Sequence, residues 1–451
     1  GNFFVGARTA WYPSAGAFDD HATYDLTFKV PHQYTLVSVG KETKDTRDGD
    51  YEVTEWVSDV PLVIAGFNYG LFKKKEIVDE KTKYQIDVYA NSEVPGYLKN
   101  FDNGMVSGDN ISPTAMMNTA MADTQNSMRI FSYYFGELPY GTISITQQPN
   151  INFGQSWPTL VYLPIISFMD STTRWMIFQR NSGLITNFIQ EVTPHEVSHQ
   201  WWGHLVCWAS YHDQWLSEGF ADFSAGLYLQ GTEQKPDKYQ QYWQRQRDRI
   251  LTKNNFGIAP NDAGPIWLGY RIGTRKTEGA AVDIIYPKGA YMLHMLRTMM
   301  YDAKTGDQPF FDMMKDFVKT YSNSNASTES FKEIVEKHMT TAMDLDGNHK
   351  MDWFFNEWVY GTEVPHYKFT YTTTPSPDGK VMLEASLTQS GVSDKFKMLV
   401  PVYAEFNGKM QRLGMATIIG NTTSPIKVKL PIQPGKVMIN YNHDILSYEN
   451  K

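Results

Sequence analysis

Residues 195–199 read His-Glu-Val-Ser-His, and Glu218 follows after eighteen further residues. On a helix, two histidines four positions apart lie on the same face, so both imidazoles can reach one cation. A carboxylate from further along the chain would complete three protein ligands and leave a fourth position for water, which is the arrangement of a catalytic zinc site. The spacing therefore predicts that His195, His199 and Glu218 bind one Zn²⁺ per chain, with Glu196 as the candidate base.

The same residues also have a purely structural interpretation. Thr193-Pro194-His195-Glu196 fits a capping box, in which Thr193 caps a helix that begins at Pro194 and Glu196 reaches back to it. A five-residue pattern also arises by chance, so the pentapeptide alone does not decide between the two. The segments that follow it favour the metal site.

Three further segments follow the histidine motif along the chain. They are Gln200-Trp201-Trp202-Gly203-His204, Leu216-Ser217-Glu218-Gly219-Phe220-Ala221 and Tyr286-Pro287-Lys288-Gly289-Ala290. In this order they resemble the aminopeptidase N family of gluzincin metallopeptidases, whose pattern is H-E-x-x-H, eighteen residues and then a glutamate. The stretch from Trp353 to Tyr367 is similar to the end of that family's catalytic domain.

The resemblance implies a zinc hydrolase and gives each residue a role. His195, His199 and Glu218 would hold Zn²⁺, Glu196 would move a proton from water to the leaving amine, and Tyr286 would donate a hydrogen bond to the oxyanion. The implied reaction is hydrolysis of a peptide or protein substrate, first of all at peptide N-termini. The alternatives are a zinc endopeptidase, a related zinc hydrolase without strict N-terminal specificity, and an inactive binding scaffold. A scaffold needs neither Glu196 nor Tyr286.

The chain departs from the family upstream of the zinc motif. There the family carries G-x-M-E-N, whose glutamate binds the free amino group of the substrate. The best counterpart is Gly154-Gln155-Ser156-Trp157-Pro158, with tryptophan at the glutamate position. Gly154, Gln155 and Trp157 are the candidates for substrate binding, since an edge strand can pair its backbone with a peptide. Exopeptidase and endopeptidase action are therefore both left open.

Other polar residues are candidates for supporting roles. Asp170 and Glu191 are guesses for the missing carboxylate. Asp222, one helical turn after the zinc glutamate, either orients a ligand or is an exposed charge, and His204 is expected to be structural. The run from Asp344 to Asp352 has acidic or amide groups at alternate positions but lacks the glycine and glutamate of an EF-hand, so a polar turn is expected.

Length and strand patterns predict an α+β multidomain protein. A chain of 451 residues is longer than one ordinary domain. Short β-rich runs alternate between Tyr24 and Ala90, separated by turn-like segments such as residues 45–50, and strands return after Tyr367. With the family resemblance, we expect the second half of a β-saddle over residues 1–91, a thermolysin-like catalytic domain over 92–365 and a β-sandwich over 366–451.

Charge and apolar content limit the classes of molecule that the protein is expected to bind. The formal charge of −8 disfavours nucleic acid, and no apolar run reaches the length of a membrane span. The single cysteine, Cys207, lies in an apolar stretch and is expected to be a buried structural thiol. We expect a periplasmic or secreted location, with the cytoplasm as the alternative. The front of the saddle and the helical domain of many relatives are absent, which suggests a larger assembly or missing segments.

Overall fold

The computed structural model describes residues 2–6, 11–13, 20–233 and 236–448. The strands are β1 Asn2–Phe4, β2 Asp25–Pro31, β3 Thr35–Ser38, β4 Lys41–Asp48, β5 Tyr51–Val57, β6 Phe67–Gly70, β7 Phe72–Val78, β8 Gln85–Asn91, β9 Thr142–Gln148, β10 Gln155–Trp157, β11 Leu160–Pro164, β12 Val206–Trp208, β13 Ser324–Ala326, β14 His366–Pro375, β15 Val381–Ser390, β16 Lys397–Phe406, β17 Lys409–Ile419, β18 Thr423–Leu430 and β19 Val437–Ile439.

The helices lie mainly in the middle of the chain. They are α1 Gly96–Lys99, α2 Met117–Phe135, α3 Ser171–Phe178, α4 Ser182–Ser198, α5 Trp215–Thr232, α6 Pro236–Leu251, α7 Ala280–Ile285, α8 Pro287–Met300, α9 Gln308–Thr320, α10 Thr328–His338 and α11 Asp352–Trp358. None of the helices in the described ranges is long and apolar enough to cross a membrane.

The chain divides into two compact units. One comprises Gly1–Ala209, Ser224–Thr232 and Val318–Ala326, and the other comprises Ser210–Phe223, Glu233–Phe317 and Ser327–Lys451. The order of elements confirms the predicted α+β class, with β sheets at the start of the chain, helices in the middle and β sheets at the end. The predicted domain boundaries after residues 91 and 365 stay predictions.

A five-stranded sheet is the centre of the first unit. Its strand order is β10-β11-β9-β8-β7, with parallel pairing between β8 and β9 and between β9 and β11. All five residues of β11 are buried, as expected for a strand in the interior of a sheet that is covered on both faces. Strand β10 lies at the edge and pairs antiparallel with β11, and helix α4 packs against both. This places an edge strand beside the helix that carries the histidine motif.

Helix α2 packs against α4, the helix that carries the histidine motif. Met117, Met128, Phe131 and Phe135 are all buried at helical spacing and form the apolar face of α2. The ring of Phe135 contacts the ring of Trp202 edge-on, with centroids 4.9 Å apart. The aromatic residues that follow the histidine motif are therefore core residues that fix the end of α4.

Strands β4 and β17 are examples of strands that were not evident in the sequence. The expected turn over residues 45–50 is wrong in its first part, because β4 continues to Asp48 and pairs with β5. All eight residues of β4 are exposed, so no alternation of apolar and polar residues indicates a strand. Strand β17 was missed for the same reason, since almost all of its residues stay at least partly exposed.

The second unit joins helices to two sheets. Helices α6, α7, α8, α10 and α11 and most of α9 belong to it, together with the three-stranded sheets β14-β15-β18 and β17-β16-β19. Buried Asp444 links the final segment to a helix and a strand of this unit: its carboxylate accepts hydrogen bonds from Tyr403 Oη at 3.0 Å and Thr298 Oγ1 at 3.5 Å. Thr298 belongs to α8, so the end of the described chain is fastened to a helix that contributes to the site.

Candidate metal centre

The histidine motif lies in the last turn of a long helix. Helix α4 begins at Ser182 and contains Pro194 in its interior, and His199 is the residue that follows its last turn. The capping-box interpretation, in which the helix would begin at Pro194, is therefore wrong. The motif sits on regular helix, as the spacing of His195 and His199 requires.

The two histidines are arranged as ligands of one ion. Their Nε2 atoms lie 3.2 Å apart. Two nitrogens bound to one tetrahedral zinc at 2.0–2.1 Å would be about 3.3 Å apart. The Nδ1 atom of His199 donates to the carbonyl oxygen of Trp202 at 2.8 Å, which leaves its Nε2 lone pair for a metal. The orientation of the pair thus fits a zinc ion.

The structure brings the three predicted ligands together. In the described part of the chain, His195, His199 and Glu218 form the only group of three or more histidine, cysteine or acidic residues able to hold a metal ion, and their ligand atoms lie within 4.8 Å of one another. Two imidazoles and one carboxylate are a donor set that suits zinc and leaves a coordination position open. His204, which was expected to be structural, is not part of this group.

Glu196 is buried beside the backbone of Gly154. The side chain of Glu196 is only 6% exposed. A Cβ atom added to Gly154 would lie 2.6 Å from the Cδ atom of Glu196, which is far inside van der Waals contact. Only glycine at position 154 therefore leaves room for the carboxylate of the candidate base.

Tyr286 stands at a bend between two helices. It follows the last residue of α7 and precedes Pro287, the first residue of α8. Burial first, and then the neighbouring carboxylate of Glu218, hold the pKa of Tyr286 well above its usual value, and the phenol is hydrogen-bonded to that carboxylate. The hydroxyl therefore remains protonated at neutral pH and can act as a hydrogen-bond donor.

A contact between two glycines holds Glu218 and Tyr286 near each other. A Cβ atom added to Gly219 would lie 2.6 Å from the Cα atom of Gly289, so α5 and α8 touch through their backbones at this point. Both glycines lie in segments that resemble the family pattern, but the sequence alone indicated no role for them. A signal was present, since glycine inside a helix costs about 1 kcal/mol relative to alanine and usually has a packing reason.

Trp157 belongs to the core. It is 3% exposed and lies in a cluster of buried residues with Val37 and Tyr162. Burial leaves only the backbone at this position for a substrate, and substrate binding by Gly154, Gln155 and Trp157 stays a prediction. Gln155, on the same strand, is half-buried and donates from Nε2 to the carbonyl oxygen of Val5 at 3.3 Å. The backbone of the strand can therefore pair with a substrate, but the indole of Trp157 is too deeply buried to contact one.

Asp170 is not a candidate for the missing amine-binding carboxylate. It caps α3, because its carboxylate oxygens accept hydrogen bonds from the backbone nitrogen of Thr173 at 2.9 Å and from Thr173 Oγ1 at 2.6 Å. Glu191 lies on α4, four residues before His195 and so on the same face of the helix. Of the two guesses, only Glu191 is placed near the motif.

The remaining minor candidates have structural positions. Asp222 is 9% exposed, not a solvated charge, and its Oδ2 atom lies 3.6 Å from Arg249 Nη1. Asp344 accepts hydrogen bonds from the backbone nitrogens of Asn348 and His349 in a polar turn before α11, as expected. Cys207 is 1% exposed, which confirms a buried thiol, and burial raises its pKa to about 12.

A family model matches the segment that contains the site. Residues 169–358 match the peptidase family M1 domain. This segment includes helix α4, the whole metal group and Tyr286, and it ends at the last residue of α11. The match covers the part of the chain in which every predicted catalytic and metal-binding residue lies.

Relatives of known name are similar over parts of the chain. A leucyl aminopeptidase of Saccharolobus solfataricus is 24% identical over 307 residues, which cover 64% of this chain and 34% of that protein. A glutamyl aminopeptidase of Sus scrofa is 29% identical over 177 residues, which cover 38% of this chain and 17% of that protein. The matched parts of this chain thus span about a third or less of the length of these relatives.

Solved structures share the fold. An M1 zinc metallopeptidase from Deinococcus radiodurans aligns with a TM-score of 0.54 and 19% identity, covering 78% of this chain and 67% of that one. Aminopeptidase A of Legionella pneumophila, in complex with aspartic acid, aligns with a TM-score of 0.64 and 14% identity, covering 96% of this chain and 45% of that one. The domain match and the order of the metal-binding residues identify residues 169–358 as a peptidase family M1 domain.

Proposed function

We propose that this protein is an aminopeptidase that binds one Zn²⁺ per chain through His195, His199 and Glu218. The observation that carries the proposal is the metal group itself, in which three ligands from two helices lie within 4.8 Å of one another. Glu196 is adjacent in sequence to the first ligand, and Tyr286 contacts the third. The names of the similar proteins, aminopeptidases of several kinds, support the exopeptidase assignment.

The zinc ligands and Glu196 have different roles in the proposed reaction. Zinc held by the three ligands would polarise the scissile carbonyl and lower the pKa of a water molecule. Glu196 accepts the proton of the attacking water and delivers it to the amine nitrogen that leaves. Its burial keeps bulk water away from the carboxylate during this transfer.

Tyr286 stabilises the oxyanion. Because its pKa is raised, the hydroxyl keeps its proton and can donate to a negatively charged oxygen. Negative charge develops on the carbonyl oxygen only as the water attacks, so this hydrogen bond strengthens in the transition state. We therefore expect Tyr286 to affect kcat more than KM.

The substrate backbone binds along strand β10. The strand is at the edge of its sheet, so one row of its backbone N–H and C=O groups is available to an extended peptide. Gly154 continues the line of this strand and lies against the Glu196 carboxylate. A peptide paired with this segment would run past the catalytic base.

Recognition of the free amino group needs a carboxylate, and position 157 does not supply one. We propose that Glu191 does, since it lies one helical turn before His195 on the same face of α4. A Glu191→Gln substitution should raise KM for substrates with a free N-terminus and leave KM for N-acetylated ones unchanged. An equal effect on both classes would assign Glu191 another role.

A zinc endopeptidase is the second candidate, and one observation favours it. The position at which the family binds the substrate amine is occupied by a buried tryptophan. An enzyme without an amine anchor has no means of rejecting a peptide that continues in the N-terminal direction. Endopeptidase action then requires no additional residue.

The test compares two substrate types. Aminoacyl-arylamides and internally quenched, N-blocked peptides are incubated with the wild type, with Glu196→Gln and with Glu80→Gln, an exposed control. We expect cleavage of free-amine substrates that chelator and Glu196→Gln abolish and that the control retains. Chelator-insensitive cleavage, or none of either substrate, would refute the zinc-peptidase proposal. Equal cleavage of blocked peptides would replace the aminopeptidase with an endopeptidase.

A further inference from the structure

We propose that Gln200 is a positioning residue for the reaction: its side-chain amide fixes strand β10 against the end of helix α4, and thereby places Gly154 beside Glu196. The inference rests on the proposed function. Gln200 directly follows His199, and its side chain is completely buried. The hydrogen bonds of its side-chain amide go to Ser156, Trp157, Thr159 and Tyr140. None of these is a candidate metal ligand or the candidate base, so its role would be indirect.

The amide of Gln200 makes two hydrogen bonds to β10. Its Nε2 atom donates to Ser156 Oγ at 2.9 Å and to the carbonyl oxygen of Trp157 at 2.9 Å. Ser156 and Trp157 are two of the three residues of the strand. The strand is short and has a neighbouring strand on one side only, so these two hydrogen bonds are a large part of what holds it.

The oxygen of the same amide holds the turn that follows the strand. Gln200 Oε1 accepts hydrogen bonds from the backbone nitrogen of Thr159 at 2.8 Å and from Tyr140 Oη at 2.9 Å. A backbone N–H can only donate and a carbonyl can only accept, so Thr159 and Trp157 together fix which end of the amide is oxygen and which is nitrogen. With two donated and two accepted bonds, the amide uses its full hydrogen-bonding capacity.

The turn needs such support because its backbone is strained. Thr159 has a φ of 63°, in the left-handed region that a β-branched residue rarely adopts. Conformations of this kind are strained and persist where surrounding contacts determine them. Gln200 supplies one such contact, and the backbone nitrogen of Gly40 supplies another by donating to Thr159 Oγ1 at 2.7 Å.

The link to catalysis is the contact between Gly154 and Glu196. Gly154 precedes β10 by one residue, and its backbone borders the carboxylate of Glu196 closely enough to exclude any side chain. If β10 shifts, the backbone at Gly154 moves with respect to the base. A displacement of about 1 Å in a reacting pair can reduce turnover by about 100-fold.

The test compares Gln200→Met with Tyr140→Phe. Methionine keeps the length of the side chain but removes all four hydrogen bonds. Tyr140→Phe removes one bond to the side-chain amide of Gln200 and one to its backbone carbonyl, and none to β10. We expect Gln200→Met to lower kcat for a peptide substrate by about 10- to 100-fold, with KM changed less and zinc content unchanged. Tyr140→Phe should keep kcat within about twofold, since the strand contacts remain.

Hydrogen exchange supplies a readout that does not depend on activity. The amide proton of Thr159 is bonded to Gln200, so its exchange should accelerate in Gln200→Met and remain slow in Tyr140→Phe. Gln200→Glu is the second variant if Gln200→Met does not fold, because its carboxylate can accept from Thr159 but cannot donate to Trp157. It should protect the Thr159 amide and still lower kcat.

The outcomes separate the two proposals. An active wild type, together with a Gln200→Met or Gln200→Glu variant that keeps kcat within about twofold, would overturn the role of Gln200. Equal losses of kcat in Tyr140→Phe and Gln200→Met would also overturn it, since they would show a general loss of packing. A wild type that binds zinc but cleaves no peptide would refute the proposed function, and the exchange of Thr159 would still report on the position of the strand.

Discussion

The Nε2 atoms of His195 and His199 face each other at 3.2 Å. At this separation both Nε2 atoms can bind one zinc ion. Because a ligand that binds only the folded state stabilises it by mass action, zinc should raise the unfolding temperature. We expect chelation to lower Tm by several degrees and added zinc to restore it, as measured by calorimetry with metal analysis. His195→Ala should lose both the zinc and the response, and exposed His32→Ala should keep both.

Gly219→Ala is expected to damage both stability and activity. The new methyl group would meet the backbone of Gly289 at 2.6 Å, so α5 and α8 must separate. Overpacking of this kind costs about 1–3 kcal/mol and would move Glu218 away from Tyr286. Thermal unfolding and kcat are the measurements.

Gly231→Ala is the matched control for that substitution. It lies on the same helix, but its added Cβ would only touch the flexible end of Ile130 at 3.4 Å. Alanine is the better helix former, so this variant should be neutral or slightly stabilised. Equal behaviour of the two variants would show that the glycine contact has no special role.

Gly154→Ala should reduce turnover while leaving the metal bound. The added methyl group would overlap the carboxyl group of Glu196, which must then rotate or shift from its place. Because neither glycine nor base is a metal ligand, zinc content should remain at the wild-type level while kcat falls by about 10-fold or more. Gly141→Ala, which has open space around it, is the control. Normal turnover by Gly154→Ala would mean that Glu196 does not need its present position.

Glu357 should make the protein less stable as pH rises. Burial raises the pKa of Glu357 to about 8, although the Lys397 backbone nitrogen donates to its Oε1 at 2.8 Å. Its Oε2 atom is buried and has no hydrogen-bond partner in the described part of the chain. The pKa of a glutamate in an unfolded chain is about 4.3, so the folded state favours the protonated form. The stability from this group is therefore complete below about pH 4 and is lost as pH rises through 8.

Glu357→Gln tests this pH dependence. Glutamine is neutral at every pH, so the variant should gain a few degrees of Tm relative to wild type at about pH 9 and little or nothing at about pH 5. Exposed Glu80→Gln should follow the wild-type profile. A gain that is the same at both pH values would exclude ionisation of Glu357 as its cause.

The sequence predicted those parts of the site that depend on local spacing. Histidines four residues apart on a helix must share a face, so His195 and His199 could be paired without knowledge of the fold. The third ligand was found because its flanking residues resemble a family pattern. The backbone contact between Gly219 and Gly289 depends on how two distant helices cross, and nothing in either local sequence states which glycine meets which.

The direction of the side chain at position 157 could not be predicted from the sequence. The sequence revealed that a glutamate of the family pattern is absent, but it did not reveal where the replacing tryptophan points. Strand β10 turns its side chains alternately to opposite faces, and the face of Trp157 is covered by the first sheets of the chain. Strand β4 was missed for the opposite reason, because neither of its faces is covered.

The burial of Trp157 also means that a single substitution at this position does not supply an accessible carboxylate. The indole occupies the space that a side chain at position 66 would need: a Cβ atom added to Gly66 would lie 2.6 Å from Trp157 Cδ1. Glutamate at position 157 would leave a void beside Gly66 and bury a charge in the cluster that contains Val37, so it would destabilise the fold instead of supplying an amine anchor.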